Sequence, residues 1–275
     1  MRPAGPGGKL SCEVIPMRPI PGEYLQPASR RGRVERLDYG AKHVLVYLPD
    51  GAADRALYLI HGGGGDQRDF FCPPFLNMVD HMIEAGELRP LVIAAPTYYD
   101  PGETDKTPGS SGAAVAKFCP ELRGEVIPLV ERAAGLDIGR DRRAIGGFSM
   151  GGVTTWYAFM EALDLFRWFL PLSGDCWACG DKGGGSHPEE TARLLAEAAA
   201  RQGISDFRIH AVTGTADIAY PNLDAQIRAM AAYPEVFGPR LEYETLEGGV
   251  HDYDTIFRYC YNALPGLFRG AREAD

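Results

Sequence analysis

Seven short apolar runs, set between stretches of helical periodicity, constrain this chain more than any other feature of its sequence. They span residues 43–48, 56–60, 91–95, 143–148, 167–172, 207–213 and 241–246. Several are apolar nearly throughout, which suits strands covered on both faces of a mostly parallel sheet. Between them, Phe75, Leu76, Val79, Met82 and Ile83 recur at the spacing of one helix face. Ser186-His187-Pro188-Glu189 has the form of a capping box, and Leu194, Leu195, Ala198 and Ala199 follow on one stripe before Gly203. Leu223, Ile227 and Met230 make another such face, and Ile256, Tyr259, Cys260 and Leu264 a last one. Strands alternating with helices predict an α/β fold with helices on both sides of the sheet.

A chain of 275 residues with 45% hydrophobic content can bury one large core. We read residues 29–275 as a single domain. Residues 1–28 are rich in Pro and Gly and lack periodicity, so they read as a tail or strap. The basic cluster Arg30, Arg31, Arg33 and Arg36 reads as a solvated segment leading into the first strand. No run of eighteen apolar residues is present, so no membrane span is expected. A formal charge of −9 argues against nucleic acid as a partner. The N-terminus carries Pro and Gly where an export signal needs an apolar run, which fits a cytoplasmic protein or a secreted one whose signal has been removed. Six scattered cysteines do not make a disulfide scaffold. Cys176 and Cys179 form a C-x-x-C pair without the second ligand pair of a zinc site, so we expect an ordinary pair, free or bridged, and no metal.

The strongest local signal is Gly147-Phe148-Ser149-Met150-Gly151, followed by Gly152. It lies between an expected strand and a helical pattern over 153–162, the context in which G-x-S-x-G exposes a nucleophilic serine on a tight turn. A helix starting just after Ser149 adds a partial positive field where an oxyanion would form. The plainer reading is a glycine-rich turn with an incidental serine, and the strand–turn–helix setting weighs against it. A second glycine-rich segment, His61-Gly62-Gly63-Gly64-Gly65-Asp66, follows the run 56–60. Loops of this type supply one oxyanion N–H while the residue after the nucleophile supplies the other. Gly63, with Gly64 next, and Met150 are the candidates. A phosphate-binding loop would need Gly-Lys-Ser/Thr or G-x-G-x-x-G, and neither occurs here.

In a hydrolase of this kind the acid and then the histidine follow the serine along the chain. Of the two late histidines, His210 falls inside an expected strand, whereas His251 lies on a loop after the last one. Asp217 follows the penultimate strand and is the first choice for the carboxylate that orients the imidazole. Asp224 is the fallback and Asp175 a third candidate. Asp252 and Asp254 stand too close to His251 in the chain to orient it easily.

These residues resemble the esterase D-like group of α/β-hydrolases, and within it the feruloyl esterases of carbohydrate esterase family 1. The resemblance covers roughly residues 23–268. It rests on Val46-Tyr47-Leu48-Pro49, the 61–66 loop, the 147–152 turn, Leu172-Ser173-Gly174-Asp175, Gly214-Thr215-Ala216-Asp217 with Ile218 to Asn222, and Gly249 to His251. It implies an α/β-hydrolase fold, a serine esterase working through an acyl-enzyme without cofactor, and a small-molecule or polysaccharide-linked hydroxycinnamate ester as substrate. Tyr98, Asp175 and Trp177 would line the substrate cleft, each equally able to be scaffold. The short segment 247–250 before His251 departs from that picture, because it offers no aromatic to grip a feruloyl ring. The alternatives are another ester of the same chemistry, such as an acetyl ester, an S-acyl glutathione or a siderophore ester, an acyltransferase using the same triad, and a carbohydrate-binding protein without turnover.

Overall fold

The computed structural model describes residues 16–270. Its strands are β1 (Arg33–Tyr39), β2 (Lys42–Leu48), β3 (Ala56–Ile60), β4 (Val92–Ala95), β5 (Arg143–Phe148), β6 (Trp168–Leu172), β7 (Arg208–Gly214) and β8 (Leu241–Leu246). They form one sheet in the order β1-β2-β4-β3-β5-β6-β7-β8. β1, β2 and β4 pair antiparallel, and every pairing from β4 through β8 is parallel. The apolar runs produce this sheet because both of its faces are covered: every residue of β3, β4, β5 and β6 is buried.

Side chains alternate across the sheet. Ala56, Tyr58 and Ile60 enter one core while Leu57 and Leu59 enter the other. The helices are α1 (Pro73–Glu84), α2 (Pro108–Val115), α3 (Phe118–Glu121), α4 (Ile127–Ala134), α5 (Met150–Glu161), α6 (Gly183–Ser186), α7 (Pro188–Gln202), α8 (Tyr220–Met230), α9 (Pro234–Phe237) and α10 (Tyr253–Ala263). α1 and α10 cover the face of Leu57 and Leu59; α4, α5, α7 and α8 cover the other. Side chains such as Leu59, Phe75 and Phe159 are fully buried, each contributing about 1.5–3 kcal/mol.

Three local expectations differ from what is observed. The arginine-rich segment is solvated as expected but is more than a lead-in, because Arg33 and Arg36 lie within β1. That strand is an exposed edge whose charges pair along it, Arg33 with Glu35 and Arg36 with Asp38, each at 2.8 Å. The capping box at Ser186 does not form. The α7 N-cap is His187, without a side-chain cap bond. Ser186 ends the short α6 and donates instead to the Lys182 carbonyl at 3.1 Å. Residues 118–134, for which no helix is expected, are helical throughout, with a π turn over Leu122–Val126. Pro128 lacks an N–H and its ring would crowd the carbonyl four residues back, and a widened turn relieves both problems.

Residues 1–15 of the expected tail lie outside the described residues. The rest of it packs across α1 and α10. Met17 is buried, the Met17 carbonyl accepts from Arg258, and the Arg18 N–H donates to Asn262 at 2.9 Å. Tyr24 stacks on His81 with ring centroids 4.8 Å apart. Among the described residues no helix is long and apolar enough to cross a membrane.

Chain direction across the sheet reverses at β3: β4 lies on one side of it and β5 on the other. In open α/β sheets the crevice beyond the strand ends at such a point is where ligands bind. The ends of β3, β5, β7 and β8 carry the residues described next.

Candidate active site

β5 ends at Phe148 and α5 begins at Met150, leaving Ser149 alone to make the turn. Its φ of 55° and ψ of −113° lie where residues other than glycine seldom go. The Ser149 N–H donates to the Leu172 carbonyl at 2.9 Å, which fixes the bend against β6. Glycines permit the close approach: a Cβ on Gly147 would stand 2.5 Å from the Ile60 carbonyl oxygen, and one on Gly151 only 2.1 Å from the same atom. Gly174 is equally constrained, since a Cβ there would lie 2.3 Å from the Ser149 carbonyl.

The serine hydroxyl faces an imidazole. Ser149 Oγ is 3.0 Å from His251 Nε2, and His251 Nδ1 is 2.7 Å from Asp217 Oδ1. A carboxylate can only accept, so Nδ1 carries the imidazole proton and Nε2 is left to accept from the serine. Asp217 is 4% exposed, and its Oδ1 also accepts the Ala219 N–H at 2.7 Å. The other candidates are engaged elsewhere. Asp224 pairs with Arg228 at 2.6 Å, Asp252 caps α10 through the Thr255 N–H, and His210 stands 3.3 Å from Glu244. Asp175 accepts from Trp177 Nε1 at 3.2 Å and from the Gly184 N–H at 3.0 Å.

The loop after β3 lies against this turn. Among its backbone donors, the Gly62 N–H goes to the Tyr253 hydroxyl (3.0 Å), the Gly64 N–H to the Tyr99 hydroxyl (2.9 Å) and the Gly65 N–H to the Gly62 carbonyl (3.3 Å). Among the described residues neither the Gly63 nor the Met150 N–H has a partner. Both residues line the cleft that holds Ser149 and His251. Two free donors beside a hydroxyl–imidazole–carboxylate line can carry out acyl transfer, with negative charge on the substrate oxygen met by the N–H pair.

Known proteins of this shape carry the same chemistry in their names. The model of the Esterase family matches residues 40–264. This chain belongs to the Esterase family. The esterase is 34% identical to endo-1,4-β-xylanase Y of Acetivibrio thermocellus over 283 aligned positions, covering 93% of this chain and 25% of that protein. It thus spans about a quarter of that relative's length. It is 33% identical to the feruloyl esterase module from Clostridium thermocellum, solved as a variant complexed with sinapinate, over 97% of this chain and 98% of that one, with a TM-score of 0.81. The ferulic acid esterase of the fungus Anaeromyces mucronatus shares the fold, with a TM-score of 0.73 at 18% identity over 94% of this chain and 98% of that one. The α/β-hydrolase architecture expected from the sequence is the one observed.

The cleft of the esterase holds about 300 Å³ and is lined by Met150, Val153, Trp177, Ile218 and Pro108 among apolar groups, and by Asp175, Ser111, Asn222, Lys106 and Lys182 among polar ones. Asp175 and Trp177 both line the cleft that holds Ser149. Burial pushes the Asp175 carboxyl up to about 6, against the pull of its Trp177 and Gly184 donors. Tyr98 does not line the cleft. It is 3% exposed behind the glycine loop, its hydroxyl donates to the Gly62 carbonyl at 3.0 Å, and its ring lies 4.7 Å from that of His61. His61 Nδ1 lies 2.8 Å from the same carbonyl, so it bears the proton, and Nε2 accepts from Thr97 at 2.8 Å. Burial lowers the His61 pKa, keeping this ring neutral.

Sequence reasoning missed Lys106, Pro108 and Ser111, which stand just before α2 or within it. The signal was a proline at the first helical position, hidden in a Gly- and Ser-rich stretch that reads as loop. It also missed Ile218, 74% exposed at the cleft mouth, which supplies apolar surface that the segment 247–250 does not. Cys176 and Cys179 are free thiols, with burial pushing the Cys176 thiol up to about 12. Cys12 lies outside the described residues.

Proposed function

We propose that this chain is a serine esterase that cleaves hydroxycinnamoyl esters of the feruloyl type on plant cell-wall polysaccharide. The observation that carries the reading is the 3.0 Å approach of Ser149 Oγ to His251 Nε2 inside a cleft with two unpaired N–H groups. His251 takes the Ser149 proton as Oγ bonds to the ester carbonyl carbon. The oxyanion that results accepts from the Gly63 and Met150 N–H groups. Asp217 keeps the imidazolium oriented and balances its charge. The tetrahedral centre then collapses: its bond to the alcohol oxygen breaks, and the alcohol leaves with the proton from His251. Water, deprotonated by the same imidazole, attacks the acyl-serine and releases the acid, returning Ser149 to its starting state.

Three features support an aromatic acyl group. Trp177 and Ile218 offer apolar surface beside the serine, the cleft is at the small end of ligand pockets, and Asp175 holds a buried acceptor within it. A hydroxyl on the ring is a fitting donor to that carboxylate. The named relatives add weight, one being a feruloyl esterase module and the other a xylanase of which this chain matches a part. The test compares kcat/KM on methyl ferulate, p-nitrophenyl acetate and acetylated xylan, with Ser149→Ala as the blank. Methyl ferulate should be preferred by at least tenfold, and the Ser149→Ala protein should lose about six orders of magnitude on every ester while keeping its fold. Preference for acetylated xylan would replace the feruloyl reading, and substantial turnover by Ser149→Ala would end the nucleophile assignment.

A further inference from the structure

Four consecutive glycines make the loop 62–65 the least self-determined backbone in the molecule, yet the proposed reaction asks it to aim one N–H with sub-ångström accuracy. The solution lies in the peptide unit joining Gly62 and Gly63. No cis peptide bonds occur among the described residues, so the Gly62 carbonyl and the Gly63 N–H point in opposite directions from one rigid plane. Whatever holds the carbonyl therefore aims the donor. The carbonyl accepts from the Tyr98 hydroxyl at 3.0 Å and lies 2.8 Å from protonated His61 Nδ1. On its other side Gly62 is held by its own N–H, which donates to the Tyr253 hydroxyl at 3.0 Å. The Tyr253 hydroxyl donates in turn to Asp69 Oδ2 at 3.1 Å.

We propose that Tyr98 and Tyr253 are positioning residues of the oxyanion hole, their hydroxyls holding the two ends of Gly62 so that, of the loop's N–H groups, that of Gly63 is presented to the reacting oxygen beside the Met150 N–H. Neither tyrosine lines the cleft, and this role rests on the esterase reading above. Tyr99 secures the far side, where the Gly64 N–H donates to its hydroxyl at 2.9 Å and Ser111 Oγ stands 2.7 Å from the same oxygen. The arrangement also selects among the glycines. Gly62 and Gly64 have spent their donors on tyrosines, so of the candidates Gly63 and Gly64 it is Gly63 that remains. Tyr253 adds a link to the rest of the machinery. It is two residues beyond His251, and its ring packs edge-on against Phe148, the residue before the nucleophile, at 5.0 Å between centroids.

The experiment removes one oxygen at a time with Tyr98→Phe and Tyr253→Phe. Each protein is assayed on methyl ferulate and p-nitrophenyl acetate, and titrated with an aryl boronic acid, which forms a tetrahedral adduct on the serine, and with ferulate. Each variant should lose about tenfold or more in kcat on both esters with KM within twofold. Boronate affinity should fall by a matching factor, while ferulate affinity stays within twofold. A merely structural role would lower melting temperature without separating boronate from ferulate. Values of kcat and boronate affinity within twofold of the parent in both variants would overturn the proposal. If one variant fails to fold, the other decides. If the parent ignores methyl ferulate yet cleaves p-nitrophenyl acetate, only the feruloyl reading falls. If it cleaves no ester, boronate affinity still reads the clamp without turnover.

Discussion

His251 Nδ1 and Asp217 Oδ1 stand 2.7 Å apart although 34 residues separate them, on loops that follow neighbouring parallel strands. The carboxylate fixes the imidazole tautomer and is 4% exposed, so water cannot take its place. Asp217→Asn should therefore lower kcat by about 10⁴ with little change in KM, because an amide favours the wrong tautomer. Single-turnover and steady-state assays on one ester check this. A loss below tenfold would reassign the acid.

The turn at Ser149 depends on the absence of side-chain carbons beside it. Gly151→Ala would drive a Cβ to 2.1 Å from the Ile60 carbonyl oxygen, a backbone atom in the central strand that cannot yield. We expect it to cost at least about 3 kcal/mol of stability along with the activity. Gly109→Ala, where nothing lies within 4 Å, should change neither. Urea unfolding of the two variants beside the parent makes the comparison.

Asp175 should tie stability to pH. Its folded pKa is raised to about 6 from an ordinary value of 3.8, chiefly by burial. The folded state thus holds a proton that the unfolded state gives up, so this stabilisation is fully present below about pH 4 and is lost as pH rises to about 6. The loss is on the order of 2–3 kcal/mol. Unfolding free energies measured from pH 4 to pH 7 for the parent and Asp175→Asn should converge or cross over that interval, because the amide does not titrate. Parallel curves would show that the carboxyl is not perturbed.

At the opposite end of the sheet, Arg143 and the half-buried Glu131 form a two-point ion pair at 2.6 and 3.1 Å, and Arg143 also donates to the Leu165 and Ile138 carbonyls. Glu131→Ala strands the guanidinium in the interior. It should cost about 3–5 kcal/mol in unfolding free energy while leaving the KM of the folded fraction within twofold. Denaturant titration and steady-state kinetics separate the two effects.

How much of this was legible depended on whether a residue's task is set locally or by assembly. β2 to β8 could be read because each buries apolar residues on at least one face, and the turn at Ser149 because its glycines flank it in the chain. β1 could not. Its Arg33, Glu35, Arg36 and Asp38 look solvated and are, while the strand exists through backbone pairing with β2. The helix over 118–134 hid behind Pro120, which falls in its first turn, and Pro128, which its π turn accommodates. Asp217 was preferred over Asp224 and Asp175 for its place after the penultimate strand and its chain order, and it is the carboxylate that meets His251. Tyr98 was assigned to the cleft for its phenol, but the phenol faces a carbonyl of the glycine loop. Tyr253 gave no sign at all, since its partner Gly62 lies 191 residues away.

The four strand ends that carry the proposed chemistry are spaced by sheet hydrogen bonds, whereas the cleft's far wall is not. Lys106, Pro108 and Ser111 come from the segment before and within α2, and Lys182 from the excursion after β6. In the proposed reading, part of recognition is thereby mounted apart from the bond-breaking groups. Selection can recut the wall for a new acid or a new sugar while the machinery beneath keeps its gauge.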